Sequence, residues 1–358
     1  MNAVAKHMNQ DQGSQNGMRE SGRRNLLTID KLSVGFGSKA GMLNVVSGMS
    51  LAVGPGETVA IVGESGSGKS VASMAILGLH SGLARVTGQI WFRREDAGEA
   101  DLAALSNRQM RKIRGADIAM IFQEPMTSLN PVFKISDQLT EGLFEHQKVT
   151  AAQARAKALE MLELVGIPNA KQRLDAYPHE LSGGMRQRVM IAMALMCSPK
   201  LLIADEPTTA LDVTIQAQIL DLLKSLQQRN NMGVIFITHD LGVVNEIADR
   251  VYVMYSGRIV EEGPVSEVMQ GPKHPYTRGL MDSIPQMGEG EERVPLRAIP
   301  GSIPNLANPP KGCRFHPRCI HAVEGRCDAE EPDLMEAGAN RRVRCLRWDE
   351  LNLSGGTQ

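Results

Sequence analysis

Gly63-Glu64-Ser65-Gly66-Ser67-Gly68-Lys69-Ser70 has the residue types and order needed to grip a chain of phosphates. Glycines let successive backbone N–H groups turn inward around phosphate oxygens. Lys69 brings a cation to the β- and γ-phosphates, and the Ser70 hydroxyl can ligate Mg²⁺. A second chemical unit lies at Leu201-Leu202-Ile203-Ala204-Asp205-Glu206. There Asp205 can hold the metal, and Glu206 can polarise water for in-line attack on a γ-phosphate. A third, Leu181-Ser182-Gly183-Gly184-Met185, sets a serine and two glycines at a helix start, which is another anion-binding end. One chain hardly needs two such ends for one nucleotide. A fourth is Cys313, Cys319, Cys327 and Cys345, spaced C-x5-C-x7-C-x17-C. Zinc and iron–sulfur clusters both accept four thiolates, and the spacing lacks the short C-x2-C knuckle usual in structural zinc sites.

These groups need elements to carry them. The phosphate loop follows the apolar run Thr58–Val62 and precedes Val71–Leu77, a strand–loop–helix setting that aims a positive helix end at the phosphates. Leu201–Asp205 and Val234–Thr238 are apolar runs of the buried parallel-strand type. Amphipathic Val213–Gln228 lies between them. Leu27–Val34, Leu43–Val53, Gly88–Phe92 and Ile118–Phe122 also read as strands, and Glu95–Asp101 as a polar loop. Ser136–Val165 and Ser182–Met196 are helical in pattern, with Gly166-Ile167-Pro168 ending the first. Strands alternating with helices predict an α/β fold with a mostly parallel core sheet. Periodicity fades after Gly271, so a boundary is expected between residues 265 and 275. No internal repeat is evident.

Composition narrows the function classes. The 358 residues suffice for one large domain and a smaller one. A formal net charge of -1 argues against a general nucleic-acid binder. No apolar run approaches the roughly eighteen residues of a membrane span, and residues 1–25 are polar, without the apolar core of a signal peptide. They read as a disordered leader, and the chain as cytoplasmic unless a partner holds it at a membrane. Most of the 20 methionines read as core gap-fillers, as does Cys197 in its apolar helix. Disulfides are disfavoured in a reducing compartment, so the clustered cysteines point to a metal that supplements a small core.

The phosphate loop, the Asp205-Glu206 strand end and the Leu181–Met185 segment together resemble the ATP-binding subunits of ABC transporters. The match spans roughly Leu26 to Gly263, with Leu181–Met185 standing for the LSGGQ signature and Met185 in place of its glutamine. That resemblance implies a P-loop ATPase of about residues 26–268, with an antiparallel β subdomain and a helical subdomain near 130–190. Two such subunits sandwich two ATP molecules, the phosphate loop of one facing Ser182, Gly183 and Gly184 of the other. It further implies Phe36 stacking on adenine, Gln123 sensing Mg²⁺ and the transport partner, Asp212 in a segment crossing the dimer, and His239 as a switch at the γ-phosphate. Gly63, Glu64, Ser65, Gly66, Ser67, Gly68, Lys69 and Ser70 would hold the nucleotide. Ser70, Gln123 and Asp205 would hold Mg²⁺.

Three further segments narrow the resemblance to the dipeptide and oligopeptide importer branch. They are Glu124–Pro131, Pro207–Gln216 and His274-Pro275-Tyr276-Thr277-Arg278-Gly279-Leu280. The branch implies a C-terminal extension over 269–358, whose four cysteines would hold a [4Fe-4S] cluster, with Zn²⁺ as the alternative. It implies two transmembrane permease subunits, a related second ATPase subunit, an extracytoplasmic substrate-binding protein and no nucleic acid. The place would be the cytoplasmic face of the inner membrane. Nickel, glutathione and opine systems share the branch, so the substrate stays open. A non-transport ATPase of the same fold commonly carries two cassettes or a coiled-coil insertion, and this chain has neither. A redox-sensing protein built around the cysteines would not need an intact Asp205 and Glu206.

Overall fold

The computed structural model describes residues 25–38, 41–94, 98–123, 128–209, 211–283 and 298–353. The leader up to residue 24, Glu95–Ala97, Glu124–Thr127 and Ala210 lie outside them. In chain order the strands and helices are β1 (Leu27–Ser38), β2 (Gly41–Val53), β3 (Thr58–Val62), α1 (Lys69–Ile76), β4 (Ala84–Arg94), β5 (Gly98–Asp101), α2 (Asn107–Met110), β6 (Ile118–Ile121), α3 (Ile135–His146), α4 (Ala151–Leu164), α5 (Ala170–Arg173), α6 (Gly183–Leu195), β7 (Leu201–Asp205), α7 (Val213–Asn230), β8 (Gly233–Thr238), α8 (Leu241–Ile247), β9 (Arg250–Tyr255), β10 (Arg258–Pro264), α9 (Val265–Gln270), α10 (Pro275–Asp282), β11 (Met335–Gly338) and β12 (Arg341–Val343).

Two sheets form the frame. The smaller has the order β2-β1-β4-β5, and the larger has the order β11-β12-β10-β9-β3-β8-β7-β6. Every residue of β3, β7 and β8 is buried, which is why these strands are continuous apolar runs and not alternating ones. They pair in parallel, so their carboxyl ends lie side by side. Loops leaving those ends converge, as ligand-binding loops do in open α/β sheets.

Helix ends follow their capping chemistry. Ser182 caps α6, its side chain accepting from the Met185 amide. Asp212 caps α7 by accepting from the Ile215 amide, and Asn231 closes that helix in the left-handed region. The helical stretch expected over Ser136–Val165 is two helices, because Thr150 and Gln153 form a capping box that starts α4 afresh. Helices α3, α4, α6 and α7 share one apolar core with β7 and β8. The antiparallel sheet, α1 and β3 share a second.

One expectation needs correction, and the mostly parallel core sheet needs bounds. Gly98–Asp101, read as polar loop, is an antiparallel strand paired with β4. The Asp101 carboxylate takes the Ile90 and Ala103 amides, so short-range polar bonding replaces apolar patterning there. The core sheet is parallel only from β6 through β9. Its other edge is antiparallel, and the last two strands come from the C-terminal extension, with Glu261 and Glu262 of β10 opposite Val343 and Arg342. Among the described residues no helix is long and apolar enough to cross a membrane.

Candidate functional site

The phosphate loop is built around backbone that only glycine tolerates. Gly63 has φ +155, and a Cβ there would come within 2.1 Å of the Met254 carbonyl oxygen. Gly68, at φ +105, would place a Cβ 2.8 Å from the Val45 carbonyl. The loop therefore presses against β2 and β9 at the head of α1. Lys69 is buried, and its ammonium donates to the carbonyls of Gly63 at 2.7 Å and Glu64 at 3.1 Å, spanning the loop mouth. Burial lowers its pKa, opposed by the charges of Glu206, Asp205 and Glu64. Among the described residues the buried Ser67 hydroxyl has no hydrogen-bond partner.

Opposite, the end of β7 carries the acidic pair. Ser70 Oγ donates to Asp205 Oδ1 at 3.1 Å. Burial pushes the Asp205 carboxyl up, relieved by Ser70, raised again by Glu206 and lowered by Lys69. A buried carboxylate disfavoured as an anion, with a hydroxyl oxygen beside it, fits a small hard cation such as Mg²⁺. Glu206 sits at φ 47, a left-handed conformation unusual for glutamate. Its amide still donates to the Ile237 carbonyl at 2.9 Å, so the β7–β8 ladder holds the twist.

Three side chains converge on one oxygen of Glu206. Gln123 Nε2 donates to Oε2 at 3.0 Å, Thr209 Oγ1 donates to it at 3.0 Å, and His239 Nδ1 stands 3.4 Å away. They arrive from the ends of β6, β7 and β8, which the parallel register brings together. Among the described residues these contacts leave Oε1 for a water. Such an arrangement can orient a nucleophilic water over the loop. Thr209 was not singled out in the sequence, although it lies three residues after Glu206, where a turn returns the chain.

The remaining sequence candidates lie apart from this cluster. Ser182 and Gly183 are exposed at the start of α6. Helix α6 is instead tied to the acidic strand end, since buried Gln187 donates to the Pro207 carbonyl at 2.5 Å. Gly184 lies against Ile215, and Met185 packs into the helical core. Asp212 caps α7. Phe36 is half-buried on β1 and packs against the core shared by β3 and α1. Glu64 faces the C-terminal extension, through contacts the sequence did not reveal.

Cys313, Cys319, Cys327 and Cys345 are free thiols that line one cavity, together with His316 and His321. The Cys313 amide donates to the Cys327 carbonyl at 2.8 Å, and the Val323 amide to Cys327 Sγ at 3.4 Å. Burial pushes the Cys319 thiol up to about 11 and the Cys345 thiol to about 12, with neighbouring cysteines adding to both. Burial raises the Cys313 thiol as well, and thiols that resist ionisation in this way would suit a cationic centre as donors. As they stand, no group of three or more His, Cys, Asp or Glu side chains among the described residues is gathered as a metal site. Cys197 is half-buried against the helical core, as expected.

Residues 46–209 match the ABC transporter family, and residues 260–327 match the oligopeptide/dipeptide transporter C-terminal region. The chain is 49% identical over 320 residues to the dipeptide transport ATP-binding protein DppD of Escherichia coli K12, covering 89% of this chain and 96% of that protein. It is 52% identical over 311 residues to the oligopeptide transport ATP-binding protein OppD of Bacillus subtilis 168, covering 86% and 85%. Among solved structures, the dimeric ATP-binding cassette MJ0796 bound to ADP and Pi superposes with a TM-score of 0.59 at 27% identity, covering 67% of this chain and 98% of that one.

Proposed function

The chain belongs to the ATP-binding proteins of ABC peptide transport, and on that premise we propose that it hydrolyses Mg²⁺–ATP to power uptake of dipeptides and oligopeptides through a membrane permease. The observation that carries the proposal is the convergence of Gln123, Thr209 and His239 on Glu206 beside the Ser70–Asp205 pair.

The chemistry follows from that placement. Loop amides and Lys69 bind the β- and γ-phosphates, with Lys69 exchanging its two carbonyl partners for phosphate oxygens. Phe36 stacks on adenine. Ser70, Asp205 and Gln123 would hold Mg²⁺, which would supply neutralisation of phosphate charge. Glu206, fixed through Oε2, aligns a water with its other oxygen and takes a proton as the water oxygen bonds to γ-phosphorus. The bond from γ-phosphorus to the β–γ bridging oxygen breaks, giving ADP and phosphate. His239 and Gln123 keep Glu206 in register with the γ-phosphate.

The Ser182–Gly184 helix start, exposed at Ser182 and Gly183, is the complementary half of a second site. A related second ATPase subunit would offer its phosphate loop there, with Asp212 at the seam, closing on ATP and reopening after hydrolysis. The dimeric form of the similar cassette supports this reading. Two permease subunits would hold the motor, residues 26–268, on the cytoplasmic face of the inner membrane, and an extracytoplasmic binding protein would deliver peptide. The extension, residues 269–358, would hold a [4Fe-4S] cluster through Cys313, Cys319, Cys327 and Cys345, with Zn²⁺ as the competing occupant.

Uptake of a labelled dipeptide into vesicles carrying the assembled importer tests the main reading. Uptake is expected to require ATP and to stop with Lys69→Ala. ATP-independent uptake would sink it. Anaerobic purification with iron, sulfide and zinc analysis tests the extension: about four iron and four sulfide per chain supports the cluster. About one zinc replaces it.

A further inference from the structure

Glu64 is the second residue of the phosphate loop, and its polar groups are claimed from two directions. Its carbonyl takes Lys69 and the Ser67 amide, both inside the loop. Its amide and its carboxylate are held from outside, by the C-terminal extension. The Glu64 amide donates to the Tyr276 hydroxyl of α10 at 2.9 Å. The carboxylate receives a two-pronged guanidinium: Arg318 Nη1 to Oε2 at 2.7 Å and Nη2 to Oε1 at 3.0 Å.

Arg318 is itself immobilised. Its side chain is 4% exposed, and Nε donates to the Pro300 carbonyl at 2.9 Å. It stands over the Tyr255 ring, 5.8 Å from the centroid. Phe315, three residues earlier, packs edge-on against Tyr255 at 5.2 Å and beside Tyr276 at 5.4 Å. Arg314 reaches the same region and donates to the Ser256 carbonyl at 2.5 Å. The next residue, Gly257, gives its amide to the Ser67 carbonyl of the loop at 2.9 Å. Both arginines and the phenylalanine belong to Cys313-Arg314-Phe315-His316-Pro317-Arg318-Cys319, so one short turn touches the phosphate loop directly and its support indirectly.

An ion pair at this place has a consequence beyond packing. Glu64 puts a carboxylate inside a loop that must receive a polyanion. Left unpaired, that charge would repel the β- and γ-phosphates. Bidentate pairing with a buried guanidinium neutralises it and fixes the loop's shape at the same time.

We propose that Arg318 is a positioning residue of the ATP reaction: by neutralising and anchoring Glu64, the cysteine-bracketed turn of the extension sets the affinity of the phosphate loop for nucleotide. The inference rests on the ATPase reading above. Binding of the fluorescent analogue trinitrophenyl-ATP to the full-length chain tests it, with competition by ATP and thermal melting of every variant. Arg318→Ala is expected to weaken binding about tenfold, with a larger change in KM than in kcat. Adding Glu64→Gln to that variant is expected to recover affinity to within about threefold of the parent, because the unpaired charge is gone. Arg318→Lys, which keeps the charge and loses the fork, is expected to fall between. Arg155→Ala, which breaks a comparable but exposed pair with Asp175, should leave affinity unchanged. A merely structural arginine would lower melting temperature without this rescue. Affinity within twofold in folded Arg318→Ala, or a double variant no better than the single one, overturns the proposal. Failure of the parent chain to bind the analogue at all would overturn the ATPase reading with it.

Discussion

The ATP site and the cysteine site are assembled by opposite means. At the ATP site, parallel strands deliver their carboxyl ends to one place, and Gln123, Glu206 and His239 ride on β6, β7 and β8. Side-chain contacts of 3.0–3.4 Å join them there. At the cysteine site no regular element carries a thiol. The four sulfurs share a cavity through turns held by backbone bonds such as Cys313 amide to Cys327 carbonyl. A sheet positions side chains through its own ladder energy, whereas a loop cluster depends on the turns that carry it.

The sharpest way to break this contrast is Glu206→Gln. If the strand ends already place the water-orienting carboxylate, removing its charge should cut ATP turnover by about 10²–10⁴-fold. Trinitrophenyl-ATP binding should stay near the parent value, because the loop and Lys69 are untouched. Phosphate release and equilibrium binding, measured on the same preparation, separate the two. Turnover within threefold of the parent would remove Glu206 from the chemistry.

The next effect lies where the extension joins the sheet. Glu261 on β10 is fully buried, and Arg341 of β12 donates to its Oε1 at 2.6 Å. The same carboxylate takes the Lys273 amide at 2.8 Å and the His274 amide at 3.0 Å. Glu261→Ala leaves the Arg341 guanidinium without its counter-charge, held only by the Glu267 and Gly271 carbonyls, and takes the acceptor from two amides. Loss of one member of such a pair costs about 3–5 kcal/mol. Urea unfolding should show that loss, and the extension should become protease-sensitive before the nucleotide loop does. A loss under about 1 kcal/mol would mean that water readily replaces the carboxylate, and that the extension is less firmly joined than the two sites' contrast requires.

Legibility in the sequence tracks the same contrast. Buried parallel strands advertise themselves as unbroken apolar runs, so β3, β7 and β8 were readable, and the phosphate loop with them. Helix caps were readable where the cap is local, as with Ser182 and α6. What escaped were contacts between residues far apart in the chain. Arg318 meets Glu64 across 254 positions, and β12 meets β10 across about eighty. Neither leaves a periodic trace, because Met335–Gly338 and Arg341–Val343 are too short and too polar to read as strands. Gly98–Asp101 was missed for the same reason. The motif around His274 was visible only as helix and loop with proline, yet its histidine and tyrosine are among the most buried polar-tipped residues of the chain.

His274 supplies the smallest and most specific effect. Its Nδ1 accepts the Tyr276 amide at 3.0 Å, so it caps α10, whose Tyr276 in turn holds Glu64. Complete burial pulls its pKa down from 6.5 to about 3. The sign is fixed by which state takes the proton. Between these two values the unfolded chain protonates and the folded chain does not, so stability falls as the solution is acidified below about pH 6.5 and is fully present above it. The slope from this one group reaches at most about 1.4 kcal/mol per pH unit. His274→Asn keeps an acceptor for the Tyr276 amide and cannot titrate. Urea midpoints of parent and variant, compared at neutral pH and at about pH 5, should diverge on acidification, with the parent losing more. Parallel curves would place the acid sensitivity elsewhere in the chain. The extension thus couples a buried, pH-sensitive cap to the same glutamate that Arg318 anchors, and acid should loosen the phosphate loop through α10 before it disturbs the strand ends.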